Sequence, residues 1–137
     1  MPGELLLDTG ALVSLLDRGQ SRHREFVGFF QTWQRETVTT EAVLTEATHL
    51  LARVSGGIIA CVDFVLSGGA LLVPTSAAAL RRARELMVQY GDCPMDFADA
   101  TLVVLAEDLK TNIVLTTDRR NFSVYRIGGR KLFEIPI

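Results

Sequence analysis

Four carboxylates stand at the edges of apolar runs, far apart along the chain. Asp8 follows Leu5-Leu6-Leu7, Glu46 sits inside AVLTEATHLL, Asp99 heads DATLVVLA, and Asp118 follows NIVLTT. A carboxylate in an apolar setting is costly unless it is paired, hydrogen-bonded or bound to a metal. Four of them suggest one shared acidic pocket, and the natural occupant of such a pocket is a hard divalent cation. Asp96, three residues before Asp99, lies roughly 60° away on a helical projection, so both could face one ion. The hydroxyls of Thr9 and Thr116 adjoin the first and last acids and could serve the same mouth.

The elements that must position these acids alternate in type. Glu4–Leu7 has the composition of a buried strand, and Leu12, Leu15 and Leu16 then suit a brief helix. Ser21 is placed to cap a second helix carrying Phe26, Val27, Phe29, Phe30 and Trp33. Glu36–Thr39 is β-prone, and from Thr40 to Val54 the stripe of Val43, Ala47, Leu50, Leu51 and Val54 predicts a helix. IIACVDFVL predicts another helix, Ala70–Val73 a buried strand, and Ser76 the cap of AAALRRARELMVQY. A helix over Asp96–Leu109, a strand over Asn112–Thr116, a turn or short helix over Asp118–Phe122 and a β-prone run over Lys131–Ile135 complete the chain. Strands alternating with helices imply an α/β fold with a short, mostly parallel sheet flanked by helices. In such sheets ligands collect at the carboxyl ends of strands, where Asp8 and Asp118 both fall.

Each acid also has a plain structural role to set beside the chemical one. Asp8 is suited to capping the following helix, and Asp118 to a turn. Asp96 and Asp99 fit the cap and third position of a capping-box-like start. Glu46 borders the apolar stripe of its helix, whereas Glu41 points away from it toward solvent. Asp17, Asp63, Asp92, Glu107 and Asp108 look like surface acids, and His23 and His49 like structural or surface residues.

With 137 residues the chain suits one domain, 1–137, with a single core. No apolar stretch approaches the roughly 18–20 residues of a membrane span, and no signal peptide is visible, so a cytoplasmic protein is expected. Cys61 and Cys93, without C-x-x-C spacing, suit two buried reduced thiols. A net charge of −2 excludes a generally basic nucleic-acid binder but leaves room for a local basic face. Arg119 and Arg120, directly after Asp118, are the best-placed candidates for contacts with the phosphates of a nucleic acid. Arg81, Arg82 and Arg84 suit a solvated helix face.

LLLDTGALVSLLD, TTEAVLTEATHLL, MDFADATLVVLAEDL and IVLTTDRRNFSVYR follow one another from Leu5 to Arg126, and in this order they resemble the PIN domain. Within that superfamily they look most like the VapC-type toxins of toxin–antitoxin pairs. Asp8, Glu46, Asp99 and Asp118 match the four core acids, Thr116 the polar residue beside the last, and Asp96 an additional acid seen in part of the family. The resemblance implies a Mg²⁺- or Mn²⁺-dependent endoribonuclease. It also implies a homodimer neutralised by a cognate antitoxin. Two other readings stand beside it: a PIN nuclease of RNA processing without an antitoxin, and a catalytically idle α/β interaction module whose acids only cap helices and turns. A phosphatase would want a D-x-D pair where Asp8 is followed by Thr9-Gly10, and a receiver-type pocket would want an acid after Ala70–Pro74.

Overall fold

Leu5, Leu6 and Leu7 are all fully buried, which requires a strand covered on both faces. They form β1 (Leu5–Leu7), central in a parallel sheet with β2 (Thr37–Thr40), β3 (Leu71–Val73) and β4 (Ile113–Leu115), in the order β3-β2-β1-β4. The computed structural model describes residues 3–137. Parallel neighbours need long crossovers, and helices supply them. α1 (Thr9–Leu16) and α2 (His23–Thr32) link β1 to β2, while α3 (Glu41–Leu51) and α4 (Gly57–Leu66) link β2 to β3. α5 (Ala77–Gln89) and α6 (Phe97–Leu109) then lead to β4. Register is direct: Leu5, Leu6 and Leu7 pair with Ile113, Val114 and Leu115, and Leu5 and Leu6 with Thr37 and Val38.

The core lies between the sheet and its helices. α6 is its central helix: Leu102, Val103, Val104, Leu105 and Ala106 are buried, and it packs on α5, α3 and β2. Each such aliphatic side chain contributes about 1.5–3 kcal/mol when withdrawn from water. After β4 come a short helix, α7 (Arg119–Phe122), and a hairpin of β5 (Arg126–Ile127) and β6 (Lys131–Leu132). The chain then returns to β4: Val114 N–H donates to Glu134 O at 3.0 Å and Glu134 N–H to Asn112 O at 2.7 Å. That covers an edge which would otherwise expose unpaired backbone groups. Among the described residues no helix is long and apolar enough to cross a membrane.

Several expectations change. The strand expected as buried over Ala70–Val73 is the edge strand β3 (Leu71–Val73): Ala70 before it is buried, but Leu71, in a strand paired on one side with β2, is 55% exposed. α2 starts at His23 with Arg22 at its cap position and no side-chain cap, so Ser21 does not cap it, and Trp33 lies just beyond its end. α3 stops at Leu51, short of Val54, and Leu50 turns outward at 43% exposure. The stop has a steric cause. A Cβ on Gly57 would overlap the Leu51 carbonyl oxygen, so this glycine lets α4 begin against the end of α3. Cys61 is buried, but Cys93 is half-buried and its thiol donates to Asn121 Oδ1 at 3.3 Å.

Asp17 and Glu107 are not simple surface acids. Asp17 is buried and accepts from Gly19 N–H, Gln20 Nε2 and Arg53. Glu107 receives both a 3.0 Å Arg82 Nε bond and a 3.0 Å Arg82 Nη2 bond, clamping α5 to α6. His23 Nδ1 lies 2.7 Å from Ser14 O and ties α2 to α1.

Candidate active site

In the order β3-β2-β1-β4, connections leave β1 toward β2 and later return to its other side at β4. The reversal between β1 and β4 makes a crevice beyond their carboxyl ends, where open α/β sheets bind ligands. Asp8 follows β1 directly and Asp118 lies three residues after the end of β4, so the topology alone puts them on either side of that crevice. The two loops touch closely. A Cβ on Gly10 would overlap the Thr117 hydroxyl, so only glycine admits this approach without displacing Thr117.

Thr116 joins the two acids. Its hydroxyl donates to Asp8 Oδ2 at 2.6 Å and accepts from Asp118 N–H at 2.9 Å. Asp118 caps α7, taking Asn121 N–H on Oδ1 at 3.1 Å and Asn121 Nδ2 on Oδ2 at 3.0 Å. One turn on, Tyr125 N–H bonds Asn121 O, and the Tyr125 hydroxyl donates to Asp99 Oδ2 at 2.9 Å. Tyr125 is fully buried in edge-to-face contact with Tyr90 and Phe122. Residues 116–125 therefore grip three acids that arrive on three different elements.

Asp99 sits in the first turn of α6, whose N-cap is Asp96; Asp96 Oδ1 accepts from Asp99 N–H at 2.8 Å. Capping accounts for Asp96, yet its charge still reaches both Asp8 and Asp99. Burial pushes the Asp8 carboxyl up to about 6, partly offset by the Thr116 hydrogen bond and raised further by Asp118 and Asp96. Burial, then the charges of Asp8 and Asp96, push Asp99 up to about 7. Burial and the facing Asp99 charge hold the Tyr125 phenol well above its ordinary range, so it stays a donor. Asp8 thus feels the charges of Asp118 and Asp96, Asp99 those of Asp8, Asp96 and Asp118, and among the described residues none of the four has an ion-pair partner.

Glu46 stands apart from this network. Half-buried on α3, it lines a cleft of about 810 Å³ with Glu41, His49, Asp96 and Phe97, and forms no hydrogen bond with the other acids. Its helix is nevertheless registered to α6. Thr40 caps α3 by accepting from Val43 N–H, and its hydroxyl meets Thr101 Oγ1 at 2.8 Å. Thr101 donates its own proton to Ala98 O at 2.7 Å, so Thr40 is the donor to Thr101. Arg119 and Arg120 are exposed at the start of α7, whereas Arg126 is turned back onto the carbonyls of Ser123, Val124 and Tyr125. Arg82 is half-buried and committed to Glu107 and Glu85, so of the cluster expected on a solvated face only Arg81 and Arg84 lie there.

The donor set suits a divalent cation. It is all oxygen, uncompensated and partly buried, and mutual repulsion that raises carboxyl pKa values is what a cation would relieve. Thr9 Oγ1 adds to this: it is buried beside Asp8 with no hydrogen-bond partner among the described residues. A hydroxyl left so costs about 1–3 kcal/mol, which a ligand or its water shell would offset. No three His, Cys, Asp or Glu side chains among the described residues form a ready-made cage. Mg²⁺ does not need one, since it keeps several waters and takes one or two carboxylates.

Residues 5–128 match the model of the PIN domain family. The chain belongs to the PIN domain family. This PIN domain is 33% identical over 135 residues to Ribonuclease VapC26 of Mycobacterium tuberculosis, spanning 96% of the chain and 100% of that protein. Its fold resembles that of M. tuberculosis VapC20, a Sarcin–Ricin loop cleaving toxin, with a TM-score of 0.80, 22% identity, and coverage of 86% of this chain and 92% of that one. VapBC2 from Rickettsia felis, solved bound to a promoter DNA fragment, superposes with a TM-score of 0.68 at 13% identity over 96% and 97% of the two chains. The four-stranded parallel sheet flanked by helices is thus the α/β architecture expected from the four motifs. Tyr125, Asn121 and the Thr40–Thr101 pair carry no local signal in the sequence; each becomes visible only once distant elements of the PIN domain meet.

Proposed function

We propose that this PIN domain, residues 1–137, is a cytoplasmic endoribonuclease that depends on Mg²⁺ or Mn²⁺ and acts as the toxin of a toxin–antitoxin pair. The observation that carries this is the set of acids at the β1/β4 crevice, held by Thr116, Asn121 and Tyr125 with no cationic partner among the described residues. Kinship with a named ribonuclease across nearly the whole chain supports the choice of RNA. Asp8 and Asp99 are assigned as the protein ligands of the ion. Asp118 has both oxygens engaged by Asn121 and Glu46 lies to one side, so both are assigned to bind through water or to orient the attacking water. Thr9 and Thr116 position that shell, and Asp96 serves as cap and as a further negative charge. When bound, the ion lowers the pKa of a water and neutralises charge on the phosphodiester oxygens. Water attacks phosphorus in line, the bond to the 3′-oxygen breaks and that oxygen takes a proton, leaving a 5′-phosphate and a 3′-hydroxyl.

Two exposed apolar faces are available for protein partners. Ile59 and Leu66 on α4 are exposed beside α2, whose Phe30 packs on Phe64, and an amphipathic antitoxin helix would suit this surface. Leu80, Met87 and Val88 on α5, with Phe97, suit a second copy of the chain.

Purified protein should cut single-stranded RNA with Mg²⁺ or Mn²⁺ and not with EDTA, and sequencing of the cut ends should find 5′-phosphates. Asp8→Ala and Asp99→Asn should abolish cleavage. Full activity in Asp99→Asn, or cleavage that persists in EDTA, would overturn the assignment.

A further inference from the structure

The surfaces flanking the acids differ in charge, and the difference gives the substrate strand a direction. On the α3 side, the cleft shared by Glu46 and Asp96 also holds Glu41, with His49 and no Lys or Arg in its lining. Phosphates brought there would meet three carboxylates. A separate groove of about 360 Å³ starts at Gly10 and Thr117, next in sequence to Thr9 and Asp118, passes Leu50 near the end of α3 and runs to Arg22 and Arg53. It shares Gln20 and Ser21 with a second groove of about 430 Å³ that reaches Arg18 and Arg24.

The four arginines of this continuous track are unequally free. Arg53 is paired with Asp17 at 3.1 Å, and Arg22 with Glu25 at 2.7 Å while lying over the Phe26 ring. Arg18 and Arg24 are exposed and form no ion pair among the described residues. In a chain of net charge −2, this is a local cationic path that opens at the acids.

We infer that the turn between α1 and α2 and the start of α2, through Arg18 and Arg24 with Arg22 and Arg53, is the track that holds the RNA backbone on one side of the scissile phosphate. The inference rests on the ribonuclease assignment and adds the path of the strand. A polyanion bound at the β1/β4 crevice can continue over Gly10 and Thr117 onto arginines, whereas the other exit is lined by acids. Contacts of this kind position the strand without reading its bases.

The test uses binding in EDTA, where no cleavage interferes, with a single-stranded oligoribonucleotide of about a dozen nucleotides as probe. For single strands each phosphate contact contributes roughly 0.7 to the slope of log K against log salt. Arg18→Ala with Arg24→Ala should lower that slope by about 1.4 and weaken binding on the order of tenfold near 0.1 M salt. Its melting temperature should not change, because both side chains are exposed. Arg130→Ala with Lys131→Ala at the β5–β6 hairpin, both exposed and without an ion pair among the described residues, removes the same charge and should leave slope and affinity unchanged.

An unchanged slope in the first pair, or an equal loss in both pairs, overturns the track. So does an equal weakening for a polyglutamate peptide, which would make the turn a surface for acidic protein segments. If the parent protein neither binds nor cuts RNA, the ribonuclease assignment fails and the track with it; if it does both and the slope does not move, only the track fails.

Discussion

Asp8→Asn should stabilise the cation-free fold at neutral and alkaline pH while abolishing catalysis. Asp8 is 5% exposed, and burial holds its carboxyl at about 6 against an ordinary 3.8. An acid whose folded pKa is raised binds its proton more tightly folded than unfolded, so ionising it costs stability. The cost is absent below pH 3.8, grows between 3.8 and about 6, and is complete above that. At 1.36 kcal/mol per pH unit the interval corresponds to about 3 kcal/mol. Asn is nearly isosteric, still accepts from the Thr116 hydroxyl, and cannot ionise. Removing the charge also relieves Asp99, which burial and then Asp8 hold at about 7.

In EDTA near pH 8 the variant should therefore exceed the parent by up to about 3 kcal/mol, on the order of 6–12 °C in melting temperature for a chain of this size. The two should converge near pH 4. The difference carries the test, because Asp17, held down by hydrogen bonds from Gln20 and Gly19, titrates in the opposite sense at lower pH in both proteins. A divalent cation should close the gap and then reverse it: it adds about 2.7 kcal/mol to the parent at one hundred times its Kd and about 4.1 kcal/mol at one thousand times, and far less to the variant. Thermal and urea unfolding at several pH values, with EDTA and then with Mn²⁺, measure all of this. A variant less stable than the parent at pH 8 in EDTA, or a gap that stays open at pH 4, would refute the reasoning.

Thr116→Val leaves Asp8 Oδ2 without its donor and Asp118 N–H without its acceptor, and should cost about 1–3 kcal/mol in urea unfolding and about 10–100-fold in RNA cleavage. Tyr125→Phe keeps the aromatic packing but frees Asp99 Oδ2; calorimetry should show Mn²⁺ binding weaker by about tenfold. Phe122→Leu, which loosens the same aromatic group without touching that hydrogen bond, should lower the melting temperature and spare Mn²⁺ affinity. Gly57→Ala forces a methyl onto the Leu51 carbonyl and should lower the melting temperature by several degrees, whereas Gly28→Ala, with open space around it, should not.

The aliphatic runs before Asp8 and Asp118, and the alternation of strands and helices, carry the fold in local composition. Periodicity and strand-end position are local properties, so the parallel sheet, α5 with its Ser76 cap, and Asp96 as cap of α6 are all legible from the chain. Burial on one side of a helix is not. Leu50 and Leu71 have the composition of core residues but face outward, because exposure depends on which neighbours a face meets. Asp17 and Glu107 show the converse, since their partners Arg53 and Arg82 stand 36 and 25 residues away.

The four carboxylates were marked by sequence alone, because each interrupts an apolar run and a charge in that setting needs a reason. What holds them was decided by tertiary structure. Thr116 reaches Asp8 across 108 residues and Tyr125 reaches Asp99 across 26, and no local pattern encodes either contact. Asp8, Asp99 and Asp118 became one electrostatic unit only through the reversal of strand order at β1 and β4, while Glu46 was left on the wall of the neighbouring cleft. Sequence thus names the groups that carry charge. Their distances, and hence their shared field and any cation they hold, arise from contacts between elements that meet only in the folded chain.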